Sequence, residues 1–387
     1  MVRFRLALSI VGIVLSVVTP VLGQSPVYRS AHHDFRLVTV ADGLVNPWSM
    51  AFLPGGDILI TERPGRLRVV RHGHLLDEPV EGVPKVLAQG QGGLLDVVPH
   101  PDFASNRLIY LSFSKPIGDG SEATTAVVRG RFENDQLTNV EEVFEAASQG
   151  RGHYGSRLAF DRDGYLFITV GDRQAPSTGD LEAHPAQDRR NNHGTINRVH
   201  DDGRVPLDNP FVGNPDFRPE IWSFGHRNPQ GLTVHPGTGE VWSVEHGPQG
   251  GDELNRIRPG LNYGWPVVGY GVNYGSGTNI HEGIRRDEME SPVHFWIPSI
   301  APSGLMIYDG DRFPAWQGST FVGGMAGQVL ARVTMGGPLG TREEPILGGL
   351  GRIRDVRQSP DGYIYLAIED RGGTPTAVVR LEPAGAR

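Results

Sequence analysis

Six copies of one short unit limit what this chain can fold into. Each is a Pro/Asp/Gly turn followed by a run of β-branched and aromatic residues. The clear copies are Phe52-Leu-Pro-Gly-Gly-Asp-Ile-Leu-Ile-Thr61, His100-Pro-Asp-Phe103 leading into Leu108-Ile-Tyr-Leu111, Phe160-Asp-Arg-Asp-Gly-Tyr-Leu-Phe-Ile-Thr169, His235-Pro-Gly-Thr-Gly-Glu-Val-Trp-Ser-Val244 and Ser359-Pro-Asp-Gly-Tyr-Ile-Tyr-Leu-Ala-Ile368. Tyr308-Asp-Gly310 with Ser319-Thr-Phe-Val-Gly323 is a weaker sixth. Each reads as strand, turn, strand. Such units at roughly 40–80 residue intervals are what radial repetition of four-stranded sheets produces. A β-helix would need a shorter period, and two sandwiches would need a break in composition. The expectation is an all-β, six-bladed β-propeller of four-stranded antiparallel sheets. With 53 Gly and 30 Pro in 387 residues, long helices are disfavoured throughout.

The absence of Cys excludes a disulfide framework, a thiol nucleophile, an iron–sulfur cluster and Cys-ligated zinc. The 36 Lys and Arg against 44 Asp and Glu speak against nucleic acid as a partner. The amino terminus has the three-part shape of a secretory signal peptide: Arg3 and Arg5, an apolar run from Leu6 to Val21, and a small residue at Gly23. A signal peptide over 1–23 and a single propeller domain over 24–387 follow. The mature chain would carry 34 basic and 44 acidic residues. No later segment is apolar enough to span a bilayer, so the expectation is a periplasmic or secreted protein without membrane insertion.

Two stretches interrupt the repeat: Ala175 to Phe217, rich in Asn, Asp and Arg, and Pro259 to Pro292, rich in Gly, Asn and Tyr. In a propeller such loops project from one face and roof the channel, where a ligand site is expected.

Four motifs carry possible chemistry. His153, just before the third repeat, and Asp172, just after its second strand, lie at the two outer ends of one hairpin. An Asp that holds one ring nitrogen leaves the other free to act as a general base; alternatively His153 caps a turn and Asp172 binds loop amides. Arg227 and Asn228 precede a proline, which favours extended backbone. Together they could stabilise a developing oxyanion or form a surface turn. Glu245-His-Gly-Pro248 and Gly251-Asp-Glu253 set carboxylates among glycines with irregular backbone, which suits a hard cation such as calcium, though without EF-hand spacing. Arg352 and Arg354 share one face of an extended segment and suit a polyanion, or form a solvated strand edge. There is no phosphate loop, no His-Glu-x-x-His and no Gly-x-Ser-x-Gly, and the glycine runs lack a βαβ context, so nicotinamide binding is unsupported.

Taken in order, Gln91-Gly-Gly-Leu-Leu95, His100-Pro-Asp-Phe103, the His153 segment, Arg227-Asn-Pro-Gln230, Glu245-His-Gly-Pro248, Gly251-Asp-Glu253, Asn262-Tyr-Gly-Trp-Pro266 and Arg352-Ile-Arg-Asp-Val356 resemble the soluble quinoprotein glucose and aldose sugar dehydrogenases, from about Gly43 to Leu381. The resemblance implies a six-bladed propeller, a pyrroloquinoline quinone (PQQ) cofactor, calcium, a small-molecule aldose substrate and a separate electron acceptor that the motifs do not identify. It implies His153 as the base that takes the sugar C1-hydroxyl proton, Asp172 as its orienting partner, and Gln91, Arg227, Asn228 and Tyr274 around the quinone. Arg352 and Arg354 match arginines for the cofactor carboxylates. The Gly247 and Pro248 carbonyls match ligands of the catalytic calcium, and Glu253 with Tyr263 match a structural calcium site. Proton removal by His153 would then send hydride from C1 to the quinone and yield the lactone. Two positions depart from the family pattern: Ala326 and Thr195 stand where lysines are frequent. The competing readings are a non-catalytic secreted propeller acting as a binding module, and a calcium-dependent lactonase-type hydrolase using Glu62, Asp172, Glu245 and Glu369.

Overall fold

Five runs, Ile58–Glu62, Leu166–Val170, Val241–Glu245, Thr320–Gly324 and Ile364–Glu369, are buried at every residue. Strands buried on both faces read as continuous apolar runs, and here both faces are covered because each is the second strand of a blade wedged between two neighbours. The computed structural model describes residues 26–336 and 340–385; the expected signal peptide lies outside them. Six antiparallel sheets result. Blade 1 runs Pro47–Phe52, Ile58–Glu62, Arg66–Arg71, His74–Leu75, and blade 2 runs Leu94–Pro99, Leu108–Ile117, Glu122–Glu133, Gln136–Glu145. Blade 3 is Leu158–Phe160, Leu166–Val170, Thr195–Val199, Ile221–Phe224, and blade 4 is Pro229–Val234, Val241–Glu245, Asp252–Ile257, His294–Trp296. Blade 5 is Pro302–Ile307, Thr320–Gly324, Val329–Thr334, Arg342–Gly348. Blade 6 takes Arg352–Gln358, Ile364–Glu369 and Thr376–Pro383 from the carboxyl-terminal end and Phe35–Leu44 from the amino-terminal end. That exchange closes the ring through the antiparallel pairing of Leu37 with Leu381 and its neighbours.

The six-bladed propeller is therefore the fold, and each sequence repeat is the first hairpin of one blade. Two details differ from expectation. Blade 6 has a fifth strand, because Val27–Tyr28 pairs with Phe35 and Arg36. The polar stretch from 175 to 217 is also not all loop: Thr195–Val199 is the third strand of blade 3, with buried Asn197 and Arg198 that masked its apolar signal.

The core is a ring of interblade clusters rather than one centre. Leu59 and Val69 of blade 1 meet Val97 and Ile109 of blade 2; Tyr110 of blade 2 meets Leu158 and Ile168 of blade 3; the series continues round to Ile60 of blade 1 against Tyr365 and Ala367 of blade 6. At the channel the first strands approach backbone to backbone. A Cβ on Gly231 would sit 2.3 Å from the Ser303 carbonyl oxygen, and one on Gly304 would sit 2.2 Å from the Val356 amide nitrogen. Gly304→Ala is expected to lower the unfolding free energy by about 1–3 kcal/mol through overpacking, measurable by urea titration.

The channel itself is filled with charge. Arg157, 1% exposed, contacts Asp355 at 2.9 Å and Asp96 at 3.4 Å, and Arg357 contacts the same two carboxylates at 2.9 Å each. The Trp48 ring lies 4.0 Å from the Arg157 guanidinium. This two-by-two ion cluster ties the first strands of blades 2, 3 and 6 together.

Candidate active site

A blade's first hairpin turn lies at one face of the disc, so its second strand ends at the other. The candidate site residues gather at that second face. The first strands of blades 1, 2, 4, 5 and 6 each carry a register shift near their start, on this side. Such bulges re-aim side chains beside a site. The mouth holds a cleft of about 940 Å³, within the range of small-molecule sites. Gln91, His153, Arg227, Pro248, Tyr274, Arg352 and Arg354 all line it.

His153 and Asp172 meet because Gly171 has no side chain: a Cβ there would fall 2.1 Å from the His153 carbonyl oxygen. His153 Nδ1 lies 2.6 Å from Asp172 Oδ1. The Asp172 carboxylate also accepts from the Gln174 amide at 2.9 Å and from Trp265 Nε1 at 2.7 Å. With Asp172 accepting throughout, Nδ1 carries the proton and Nε2 is left to serve the cleft as acceptor. The His153 amide donates to Gln91 Oε1 at 2.8 Å, and its φ of 45° is in the left-handed region, local strain of the kind found at functional sites. Burial pushes the His153 pKa below the ordinary imidazole value, partly opposed by Asp172 and reinforced by Arg227. Burial alone would raise the Asp172 carboxyl, but His153, Arg227 and the Gln174 amide outweigh it and hold it below the usual range.

Arg227 leans over the Trp265 indole at 5.1 Å and donates to the Gly247 carbonyl oxygen at 2.7 Å. Asn228 is fully buried behind this layer and does not line the cleft. Its Oδ1 accepts the Gly155 amide at 3.1 Å, while its Nδ2 is buried without a partner. Tyr274 is 68% exposed at the rim. Arg354 pairs with Glu369 at 2.6 Å, and Arg352 stands 3.6 Å from the same carboxylate. Ala326 lines the cleft, whereas Thr195 does not: it is buried in its strand and donates to the Asn192 carbonyl oxygen at 3.0 Å.

A second cavity of about 20 Å³ lies beside the cleft, lined by Glu245, Gly247, Glu253 and Tyr263 among others. Burial and the adjacent Glu245 push the Glu253 carboxyl well above its usual range. A cation would relieve that repulsion, so the oxygen-rich donor set fits calcium. The Tyr263 hydroxyl donates to the Arg256 carbonyl oxygen at 2.6 Å and accepts from the Arg258 amide at 2.9 Å, which leaves its backbone carbonyl as the oxygen it can offer. Among the described residues no three His, Asp or Glu side chains gather as a metal site. Glu62, Asp172, Glu245 and Glu369 do not converge, because they are engaged separately: Glu62 by Arg66 and the Val45 amide, Glu245 by His226 and the Arg227 amide, and Glu369 by Arg354. The hydrolase reading loses its metal centre for that reason.

The sequence motifs left His246, Trp265, Gln174, Gln230 and Arg63 without a role, yet His246, Gln174, Gln230 and Arg63 line the cleft and Trp265 fixes Asp172. His246 is half-buried, its Nε2 lies 2.7 Å from the Pro302 carbonyl oxygen, and desolvation with the neighbouring Arg227 keeps it well below its ordinary pKa.

The cleft thus holds a buried His–Asp pair among arginines at the mouth of a six-bladed propeller, and similarity to known proteins gives its class, an oxidoreductase of the sugar dehydrogenase kind. The family described as Glucose / Sorbosone dehydrogenase matches residues 44–380, and the chain belongs to it. It is 42% identical to the aldose sugar dehydrogenase YliI of Escherichia coli K12 over 363 residues, covering 92% of this chain and 95% of that one. Among solved structures, a glucose dehydrogenase superimposes with a TM-score of 0.82 at 46% identity, covering 90% of this chain and 99% of the other. The PQQ-bound form of the aldose sugar dehydrogenase of Streptomyces coelicolor gives a TM-score of 0.69 at 30% identity, covering 90% and 98%.

Proposed function

We propose that the protein is an exported, PQQ- and calcium-dependent dehydrogenase that oxidises an aldose at C1 to the lactone. The observation that carries this reading is the His153–Asp172 pair with Nε2 turned to a cleft whose far wall is arginine. PQQ, when bound, supplies an ortho-quinone that accepts hydride and three carboxylates that anchor it. The cleft's donor set fits it: buried Nε atoms of Arg227 and Arg352 make no hydrogen bond among the described residues, and arginines suit planar carboxylates. His153 takes the C1-hydroxyl proton on Nε2, and Asp172 stabilises the imidazolium that forms. Arg227 places positive charge where negative charge develops, with Gln91 and Tyr274 completing the surround and Asn228 supporting it from behind through the Gly155 amide. The Gly247 and Pro248 carbonyls would hold the calcium nearest the cofactor, and Glu253 with Tyr263 a structural one. Export rests on the tripartite segment at 1–23. No helix among the described residues is long and apolar enough to cross a membrane. The net negative charge argues against nucleic acid as a partner, and the electron acceptor is a separate molecule.

The test is a titration of apo-protein with PQQ, with and without calcium, following the cofactor spectrum before and after adding an aldose. Calcium-dependent binding and sugar-driven bleaching of the oxidised spectrum are expected. Binding without reduction by any aldose would leave a quinoprotein with another substrate, and no binding would favour a binding module.

The base must be neutral to act. Because burial holds His153 below its ordinary pKa of ~6.5, the active form persists into mildly acidic solution. The acid limb of the kcat profile for reductive turnover is expected below pH ~6.5, and a limb centred above that value would argue against His153 as the base.

A further inference from the structure

Glu369, at the end of the second strand of blade 6, faces three guanidinium groups at the cleft. Arg354 Nη2 lies 2.6 Å from it, Arg63 Nε 3.4 Å and Arg352 Nε 3.6 Å. Three positive charges against one negative leave an excess of two. Only Arg354 hydrogen-bonds Glu369; the Nε atoms of Arg63 and Arg352 are buried and make no hydrogen bond among the described residues. Burial lowers the pKa of both Arg63 and Arg352, the Glu369 charge partly opposes this, and Arg354 lowers both further. Both side chains are only partly buried, and an excess of positive charge in a half-buried cleft favours a ligand of opposite sign that completes the site.

Arg63 reaches this point from blade 1, directly after the strand Ile58–Glu62. Its backbone is pinned by Asn46 and Leu94, and Nη1 donates to the Gly90 carbonyl oxygen at 2.6 Å. Arg352 Nη2 lies 3.4 Å from Met325 Sδ, so the cluster abuts the turn that carries the uncharged Ala326. Charge on this wall therefore comes from blades 1 and 6, while the blade 5 turn contributes none at Ala326.

We propose that Arg63 is a cofactor-binding residue that contributes a third guanidinium to the carboxylates of PQQ alongside Arg352 and Arg354. This rests on the PQQ reading of the cleft and assigns a residue that reading does not include.

The test compares wild type, Arg63→Ala, Arg63→Lys and Arg371→Ala by calcium-containing equilibrium titration with PQQ and with its trimethyl ester, with circular dichroism confirming the fold. Arg371 is the control because it lines the same cleft but is exposed. Arg63→Ala is expected to weaken PQQ binding about 10- to 100-fold, as for a lost charge-assisted hydrogen bond, and to reduce its salt dependence. Arg63→Lys should recover part of the affinity and Arg371→Ala should change it little. With the ester, wild type and Arg63→Ala should bind alike. Equal weakening toward acid and ester would mean that Arg63 only shapes the Gly90 loop, and unchanged affinity for PQQ would mean that it does not touch the carboxylates; either overturns the proposal and leaves the dehydrogenase reading standing. A wild-type protein that binds no PQQ overturns both.

Discussion

His153→Ala is expected to leave the fold and PQQ binding in place and to lower the rate of aldose-driven cofactor reduction by about 10²- to 10⁴-fold, the usual contribution of a positioned general base. The ring meets the requirements for that role on three sides. Asp172 Oδ1 at 2.6 Å fixes the tautomer, Trp265 and the Gln174 amide fix Asp172, and burial lowers the ring's pKa and so favours the neutral form. Single-turnover stopped flow on the loaded protein separates this step from binding. A variant that reduces cofactor at the wild-type rate would remove His153 from the chemistry. Asp172→Asn gives a sharper test of the same arrangement, because an amide can present a donor to Nδ1 and so stabilise the wrong tautomer. It should slow reduction while leaving the cofactor titration nearly unchanged.

Asp96→Ala is expected to cost about 3–5 kcal/mol of unfolding free energy, a large share of the 5–15 kcal/mol that usually separates folded from unfolded chains. Asp96 is fully buried and faces Arg357 at 2.9 Å and Arg157 at 3.4 Å, and it also accepts the Leu158 amide at 2.7 Å. Truncation leaves two guanidinium groups sharing Asp355 and removes the acceptor of the Leu158 and Val97 amides and the Ser49 hydroxyl in the channel. Denaturant unfolding at constant calcium measures the loss. Asp96→Asn keeps an acceptor for Leu158 while removing the charge, so it reports the electrostatic share. If both variants unfold at the wild-type midpoint, the channel cluster is not what ties the first strands together.

The legible part of the fold was the first hairpin of each blade. Ile58–Glu62 or Val241–Glu245 is a short apolar run behind a Pro/Gly turn, and both signals are local. Thr195–Val199 was not legible as a strand: it sits between Asn191-Asn-His-Gly194 and the turn at Asp201-Asp-Gly203, and its Asn197 and Arg198 are buried polar residues whose partners, Ile168, Asn209 and Asp208, lie elsewhere in the chain. The glycines at 231 and 304 looked like ordinary punctuation until the neighbouring first strand was in place.

At the site, the juxtaposition of His153 and Asp172 could be inferred because one hairpin relates them. Arg63 could have been found by the same rule, since it follows a second strand in blade 1 much as Asp172 follows one in blade 3. His246 and Trp265 stood inside conspicuous motifs without an indication of what they would touch.

Local chemistry along the chain set the number of blades and the stock of polar and charged groups at the cleft, because turns, strand periodicity and residue type act within a few residues. Ring closure set which of those groups face one another. It pairs Phe35–Leu44 with Thr376–Pro383 and brings Arg63 beside Glu369, 306 residues later. A contact across that span depends on the curvature summed over six packed blades, and no short window of sequence carries that quantity.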